Sequence, residues 1–367
     1  LCMTAIAAGG CTMAPKYTRP APPVPPQWPS NEAYRREPAP EGLPSAPELK
    51  WSEFITDVKL RKLVETALSN NRDLRIAALN VEKARAMYGI QRAELLPPVY
   101  ANGSGGKERV PADLSTTGEA ATSERYNVNL GVISWEIDFF GRIRSLKDQA
   151  LEEYLATEEA RRSMQISLVS SVAQAYLTLA ADREALALVE STFSSQQQTY
   201  DLVKKRYDLG VATELDLRRS RILLDTARRD IARYRQQAAA DENALSLLIG
   251  SPAPQELLPS DLGSIALPRE ITPGVRSNVL LNRPDIVSAE HRLKAAYANI
   301  GAARAAFFPR ISLTTAVGTA SRELSGLFDA GSRTWSFMPG VTMPVFDARI
   351  WPALKLSKVD RELAVAE

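Results

Sequence analysis

The chain's apolar and polar positions follow two different periods. From Arg142 to Leu209 it runs 68 positions without glycine or proline, enough for a helix of about 100 Å at 1.5 Å per residue. The second half of that stretch places Leu186, Val189, Phe193, Gln196, Tyr200, Val203 and Tyr207 at spacings of three and four, with only Gln196 polar, the stripe of a coiled-coil seam. Gly210 stands where a left-handed helix cap is needed, and Thr213 with Asp216 three residues on predicts a capping box opening the next helix. That helix repeats the spacing at Leu217, Ser220, Leu224, Ala227, Ile231, Tyr234, Ala238, Asp241, Leu245 and Leu248. Residues 142–250 are therefore expected to form a hairpin of two antiparallel helices packed along matched seams.

Elsewhere the period is two. Tyr126-Asn127-Val128-Asn129-Leu130 and Ile311-Ser312-Leu313-Thr314 alternate apolar with polar residues, so opposite faces of a sheet differ in polarity. The phase slips near Ile133, where Trp135 and Ile137 take over the apolar register, which predicts a bulge. Four strands are expected, at about 99–106, 126–138, 311–320 and 335–346, with polar, Gly/Ser/Thr-rich loops at 107–125 and 321–334.

A shift of 212 residues lays Asn70–Pro97 on Asn282–Pro309 without a gap. Asn70/Asn282, Asp73/Asp285, Ala77/Ala289, Ala84/Ala296, Gly89/Gly301, Arg92/Arg304, Ala93/Ala305 and Pro97/Pro309 are among the identical pairs in these 28 positions. Both copies pass from a helical pattern through proline into alternation, so the chain is expected to carry one unit twice, as 51–272 and 273–367. Gly89 and Gly301 fall inside helices, where each costs about 1 kcal/mol relative to alanine; a close helix crossing in both copies is the expected reason. Asp73 and Asp285, equivalent in the repeat, are expected to have a structural role, such as helix capping, rather than to act as a catalytic carboxylate pair.

Lys plus Arg (45) nearly cancels Asp plus Glu (43), and with no basic tract nucleic acid is not expected as a partner. One histidine, His291, and two cysteines, Cys2 and Cys11, supply neither a clustered metal set nor a Cys-His dyad, so no metal, no cofactor and no enzymatic role are expected. His291 is read as a solvated or interface residue. No unbroken run of eighteen apolar residues occurs, so a membrane contact would come from a lipid or from strands. Residues 1–10 look like the tail of a secretory signal, and Cys11 follows its small residues as the candidate lipidated position. Residues 15–47 hold eleven of the 24 prolines; the leader, 11–50, is expected to run extended along a surface as a tether.

Four membrane strands are too few to close a sheet by themselves, whereas four from each of several chains close a barrel and remove every edge. The hairpin turn Arg206-Tyr207-Asp208-Leu209-Gly210-Val211-Ala212-Thr213, with Trp135-Glu136-Ile137-Asp138-Phe139-Phe140-Gly141-Arg142, Asn282-Arg283-Pro284-Asp285-Ile286 and Gly301-Ala302-Ala303-Arg304-Ala305-Ala306-Phe307-Phe308-Pro309, resembles the TolC-type outer-membrane factors of Gram-negative efflux pumps, in particular the OprM-like branch. The resemblance covers residues 11–367. It implies a mixed α and membrane β fold: a homotrimer in the outer membrane with a shared twelve-stranded β-barrel and a periplasmic helical tunnel. It also implies lipid on Cys11, a periplasmic adaptor docking on Leu209, Gly210, Val211, Ala212 and Thr213, and an inner-membrane RND pump delivering substrate. Thr12 stands where inner-membrane lipoproteins resembling this one usually carry Asp, which favours the outer membrane. In the second copy only 347–367 follow the strands, so the resemblance implies that a second hairpin, with the family's inner constriction, is missing from this sequence. A type I secretion or metal- or signal-molecule-export component, and a structural envelope spacer, are the alternatives.

Overall fold

The computed structural model describes residues 12–21, 25, 44, 49–116, 118–271 and 277–367; Cys11 and most of the proline-rich leader lie outside them. The elements in order are α1 (Trp51–Phe54), α2 (Val58–Asn70), α3 (Arg72–Ala93), β1 (Val99–Val110), β2 (Ala121–Ile137), α4 (Arg142–Asp208), α5 (Glu214–Ile249), α6 (Pro284–Ala305), β3 (Arg310–Ser321), β4 (Arg333–Thr342) and α7 (Ile350–Ala366). The bounds of α3 and α6 differ by 212 residues at both ends (284 − 72 and 305 − 93), the offset of the sequence match.

The strands form one antiparallel sheet in the order β1-β2-β3-β4. β1 and β2 run further toward their loop than the alternation indicated: pairing continues from Gly106↔Arg125 to Val110↔Ala121. The residues there are polar and read as loop, but a Lys107–Glu124 ion pair bridges the two strands and the ladder carries on. β4 ends earlier than expected, at Thr342, just before Pro344, which has no N–H to give a ladder. The expected bulge is present as a register shift between Val132 and Trp135. Within it Ser134 has φ 52°, and its N–H donates to Thr314 Oγ1 at 3.1 Å.

The described residues fall into two compact units. One comprises 12–21, 81–158 and 287–367, the other 49–80 with 159–286 and the two isolated leader positions. The second has an apolar core in which Leu63, Val64 and Ala67 of α2 meet Val172, Tyr176 and Leu179 of α4 and Leu245 and Ile249 of α5. Burial, and then the nearby Asp57 charge, push the Tyr176 hydroxyl up to about 12. Caps position these helices: Asp57 accepts the Leu60 N–H at 2.8 Å, and Asn71 accepts the Leu74 N–H at 2.8 Å while donating to the Leu248 carbonyl at 2.9 Å. α4 does contain a stretch long and apolar enough to cross a membrane by length and composition. No charge occurs between Arg162 and Asp182, and that stretch supplies Leu168, Val172, Tyr176, Leu179 and Ala180 to the buried set, so core packing accounts for part of its composition.

The hairpin seam is as the spacing predicts. Ser220, Leu224, Ala227 and Leu245 are buried and every other seam position except Tyr207 is half-buried, whereas off-seam Leu188, Leu202, Leu223 and Leu247 are exposed. Asp241 is the costly member. Burial first, and then Asp182 facing it from α4, raise its carboxyl above the usual range, and its Oδ2 has no partner among the described residues. A carboxyl raised in the fold costs nothing below its unfolded-state value of about 3.9, opposes folding increasingly as pH climbs from there to the raised value, and does so in full above it. Asp241→Asn is therefore expected to raise the unfolding midpoint of the helical hairpin at pH 7.5 and to leave it unchanged at pH 4, measured by thermal melts at both pH values.

In the first unit, leader residues Met13–Arg19 run along α6. The Met13 carbonyl accepts from Arg304 at 3.1 Å, Tyr17 packs edge-on to Tyr297 at 5.5 Å, and Tyr17 Oη and Arg19 both bond Glu290. Six extended residues and fourteen helical ones each cover about 20 Å, so the two segments stay in step. Burial pushes the Glu290 carboxyl up, but Arg19, Lys294 and Tyr17 outweigh it, and the group titrates below its usual range.

Candidate functional site: a two-faced sheet and a capped tip

The ladder register decides which side chains share a face. Cross-strand partners put Val99, Ala101 and Gly103 of β1 beside Val132, Leu130 and Val128 of β2. These continue to Thr315, Val317 and Thr319 of β3, with Trp135 and Ile137 beyond the bulge opposite Leu313 and Ile311. Phe337, Trp335, Pro339 and Val341 of β4 complete the same face. It is almost wholly apolar and uncovered: Trp335 is 81% exposed, Val341 69% and Phe337 60%. From Tyr126 to Ile137 it runs about 36 Å along the strand, which at the tilt of about 40° usual in membrane barrels would span about 27 Å, close to their roughly 25 Å apolar band. Aromatic rings mark both ends. Tyr126 lies over Gly105, where a Cβ would sit 2.8 Å from the ring. Beyond the other end Phe140 stacks on Phe308 at 4.9 Å, and Phe307 meets Trp351 edge-on at 4.9 Å.

The opposite face is mostly polar and small, with Tyr100 and Met338 the large exceptions. Asn102, Ser104, Asn127 and Asn129 stand there with Gly131, Ser312, Thr314, Ala316, Gly318, Ser336 and Gly340. The amides form a chain: Asn127 Nδ2 donates to Ser104 Oγ at 2.7 Å, and Asn129 Nδ2 to Asn127 Oδ1 at 3.3 Å. A Cβ at Gly131 would lie 2.3 Å from the Thr315 carbonyl oxygen, and one at Gly318 would lie 2.2 Å from that of Val128. Side chains crowd together on the inside of a bend, so the polar face is the concave one and the apolar face the convex one. A convex apolar face suits lipid, and a concave polar face suits water.

The junction of β2 with α4 is built from charged pairs. Glu136 accepts twice from Arg142, at 2.9 and 2.7 Å. Asp138 accepts the N–H groups of Ile143 and Arg144 at 3.2 and 2.9 Å, capping the long helix, and holds the Arg144 guanidinium at 3.0 Å. The local signal for the cap is an acidic residue four before a glycine-led helix start.

The hairpin tip matches its expectation closely. Gly210 has φ +74°; its N–H donates to the Tyr207 carbonyl and that of Val211 to the Arg206 carbonyl, both at 2.9 Å, a Schellman cap. Thr213 Oγ1 accepts the Asp216 N–H at 3.2 Å, and Asp216 Oδ2 accepts the Thr213 N–H at 3.1 Å. The side-chain and backbone bonds from Thr213 hold the Asp216 carboxyl below the usual range. Leu209 and Val211 are 78% and 64% exposed, and Ala212 is half-buried between them and the caps.

The repeat positions separate. Gly301 is a close approach, its Cβ direction filled by Ser145 Oγ at 2.7 Å and Ala14 N at 2.8 Å, whereas nothing lies within 4 Å of a Cβ at Gly89. The expected crossing is thus found in one copy within the chain, and it is made with the leader as well as with α4. Asp73 and Asp285 are corrected as caps. Asn71 caps α3, and each aspartate is the second residue of its helix, in the first turn, where a negative charge suits the helix dipole. Asp285 is held low by the Arg283 guanidinium at 2.6 Å. Pro97 and Pro309 follow the two helices and directly precede β1 and β3 by two residues and one. His291 has a partner that the local sequence does not show: Nδ1 lies 2.6 Å from Glu152 Oε2.

The model of one family, outer membrane efflux protein, matches residues 63–251 and 275–367. The chain belongs to that family. It is 45% identical over its whole length to the probable efflux pump outer membrane protein TtgC of Pseudomonas putida, spanning 76% of that protein. Among solved structures it resembles a membrane protein from Pseudomonas aeruginosa with a TM-score of 0.87 and 44% identity, covering 97% of this chain and 79% of that one. It also resembles the open state of the Neisseria gonorrhoeae MtrE outer membrane channel, with a TM-score of 0.84, 36% identity, and coverage of 97% and 78%. As an outer membrane efflux protein, the chain combines long helices with four antiparallel strands, the architecture of these channels.

Proposed function

We propose that three copies of this chain close one twelve-stranded barrel in the outer membrane and continue as a helical tunnel in the periplasm. Through it drugs or other small molecules leave passively after an inner-membrane RND pump delivers them. The observation that carries this reading is the curved sheet, apolar on its convex face and polar on its concave one. Four strands do not close, and twelve enclose a water-filled lumen. The 212-residue coincidence of α3 with α6, each feeding a strand pair, supports a duplicated unit, 51–272 and 273–367, that would give the trimer a quasi-sixfold wall. Residues 1–10 are proposed to be removed as a signal, and acylation of Cys11 to add to the strands' own hold on the membrane. The names of the relatives, an efflux pump outer membrane protein and an outer membrane channel, support the reading. Native mass spectrometry of the detergent-extracted protein is expected to show a trimer; monomer alone would overturn it.

The tip, Leu209 to Thr213, is proposed as the dock for the helical hairpin of a periplasmic adaptor. Its exposed apolar pair has no core of its own to enter, and the positive φ at Gly210 keeps the turn small. Ala212→Trp is expected to reduce dye efflux and adaptor cross-linking at least about tenfold, as burying an indole-sized obstruction in a tight contact would, with trimer and membrane levels unchanged on gels. Normal efflux and cross-linking would place the dock elsewhere.

A further inference from the structure

Arg310 opens β3 opposite Thr342 of β4. Counting by twos from Ser312 and Thr314 puts it on the polar, concave face, and it is exposed. It lines a small hollow with Glu136, Asp138 and Arg142, where the carboxylates already have cationic partners: Glu136 is taken by Arg142 and Asp138 by Arg144. Just past β4, Asp347 is taken by Arg349. Among the described residues the Arg310 guanidinium has neither an ion pair nor a hydrogen bond. The remaining charges on this face of the ladder, Glu108 and Arg125, lie toward the far end and are of opposite sign. Arg310 is thus the one charge without an ion pair at the helix-side end of the concave face of the described sheet.

We infer that Arg310 sets the charge preference of the barrel at its helix-side mouth, favouring small anionic solutes over cations. The inference rests on the trimeric duct proposed above, which turns one arginine into a ring of three. Twelve strands spaced about 4.8 Å and tilted about 40° give a backbone radius near 12 Å. An arginine reaches about 6 Å inward, so each charge stands within roughly 6 Å of the axis, inside the Debye length of about 8 Å at physiological salt. The guanidinium stays charged at every working pH, and rings of Arg or Lys are the general device by which pores favour anions.

The test is the reversal potential of single channels in planar bilayers under a KCl gradient. It compares the wild-type protein, Arg310→Lys, Arg310→Gln, Arg310→Glu and, as a control on the apolar face, Arg333→Gln. Arg310→Glu is expected to shift the potassium-to-chloride permeability ratio at least about threefold toward potassium, with Arg310→Gln intermediate. Arg310→Lys and Arg333→Gln should match wild type. Channels of ordinary conductance with the same reversal potential in all five proteins would overturn the inference and leave the duct standing. Absence of channels from the wild-type trimer would overturn the duct and the inference with it.

Discussion

Leu130→Arg is expected to keep the protein out of the outer membrane, while Asn129→Arg, one residue away, is expected to accumulate normally. Leu130 is 52% exposed on the convex face and pairs with Ala101 and Val317, near the middle of the apolar band. An arginine facing lipid there costs about 2–4 kcal/mol per protomer, and in a trimer the cost is incurred three times. Asn129 stands on the concave face among Asn102, Asn127 and Gly318, where a long polar chain extends into water. Quantifying both variants in purified outer membranes by immunoblot checks the assignment of faces. Equal accumulation of the two would mean that the sheet does not present one face to lipid, and the reverse order would mean that the faces have been exchanged.

The second large effect is expected at Gly318. A Cβ there would sit 2.2 Å from the Val128 carbonyl oxygen and 2.6 Å from Asn129 Cα, and both are backbone atoms of the neighbouring strand, which cannot swing aside as a side chain can. Gly318→Val is expected to cost about 4 kcal/mol or more by overpacking against fixed backbone. The β2–β3 ladder must then part or flatten, and a flattened sheet no longer closes. Gly106, on the same face but with nothing within 4 Å of its Cβ direction, is the internal control: Gly106→Ala is expected to be neutral. Heat-modifiable trimer on gels distinguishes them, with the trimer band lost for Gly318→Val and kept for Gly106→Ala. A trimer band for Gly318→Val with wild-type heat resistance would show that the curvature does not need this glycine.

The parts of the molecule that were legible in the sequence depend on local spacing. The seam residues from Leu186 to Leu248, the left-handed Gly210 and the Thr213–Asp216 box are all decided within one or two helical turns, and they appear as expected. The bulge near Ile133 was visible as a phase slip because alternation is itself local. What was not legible requires knowing which strands are neighbours. The loop-side halves of β1 and β2 look like loop until Lys107 is placed across from Glu124. The crowding at Gly131 and Gly318 exists only once Ala316 and Asn129 face them. Likewise the bond between His291 and Glu152 joins residues 139 apart, and Gly301 is filled partly by Ala14 of the leader. For the paired aspartates, equivalence in a repeat shows a shared position in a helix, but Asn71, two residues before Asp73, makes the capping bond.

Single-channel recording tests the central claim most directly. The trimer purified from outer membranes and added to a planar bilayer is expected to give discrete conductance steps, abolished by denaturation and absent from the Gly318→Val protein. Continued silence of a preparation shown to be trimeric and inserted in the bilayer would contradict a duct and would leave a lipid-anchored structural spacer in its place.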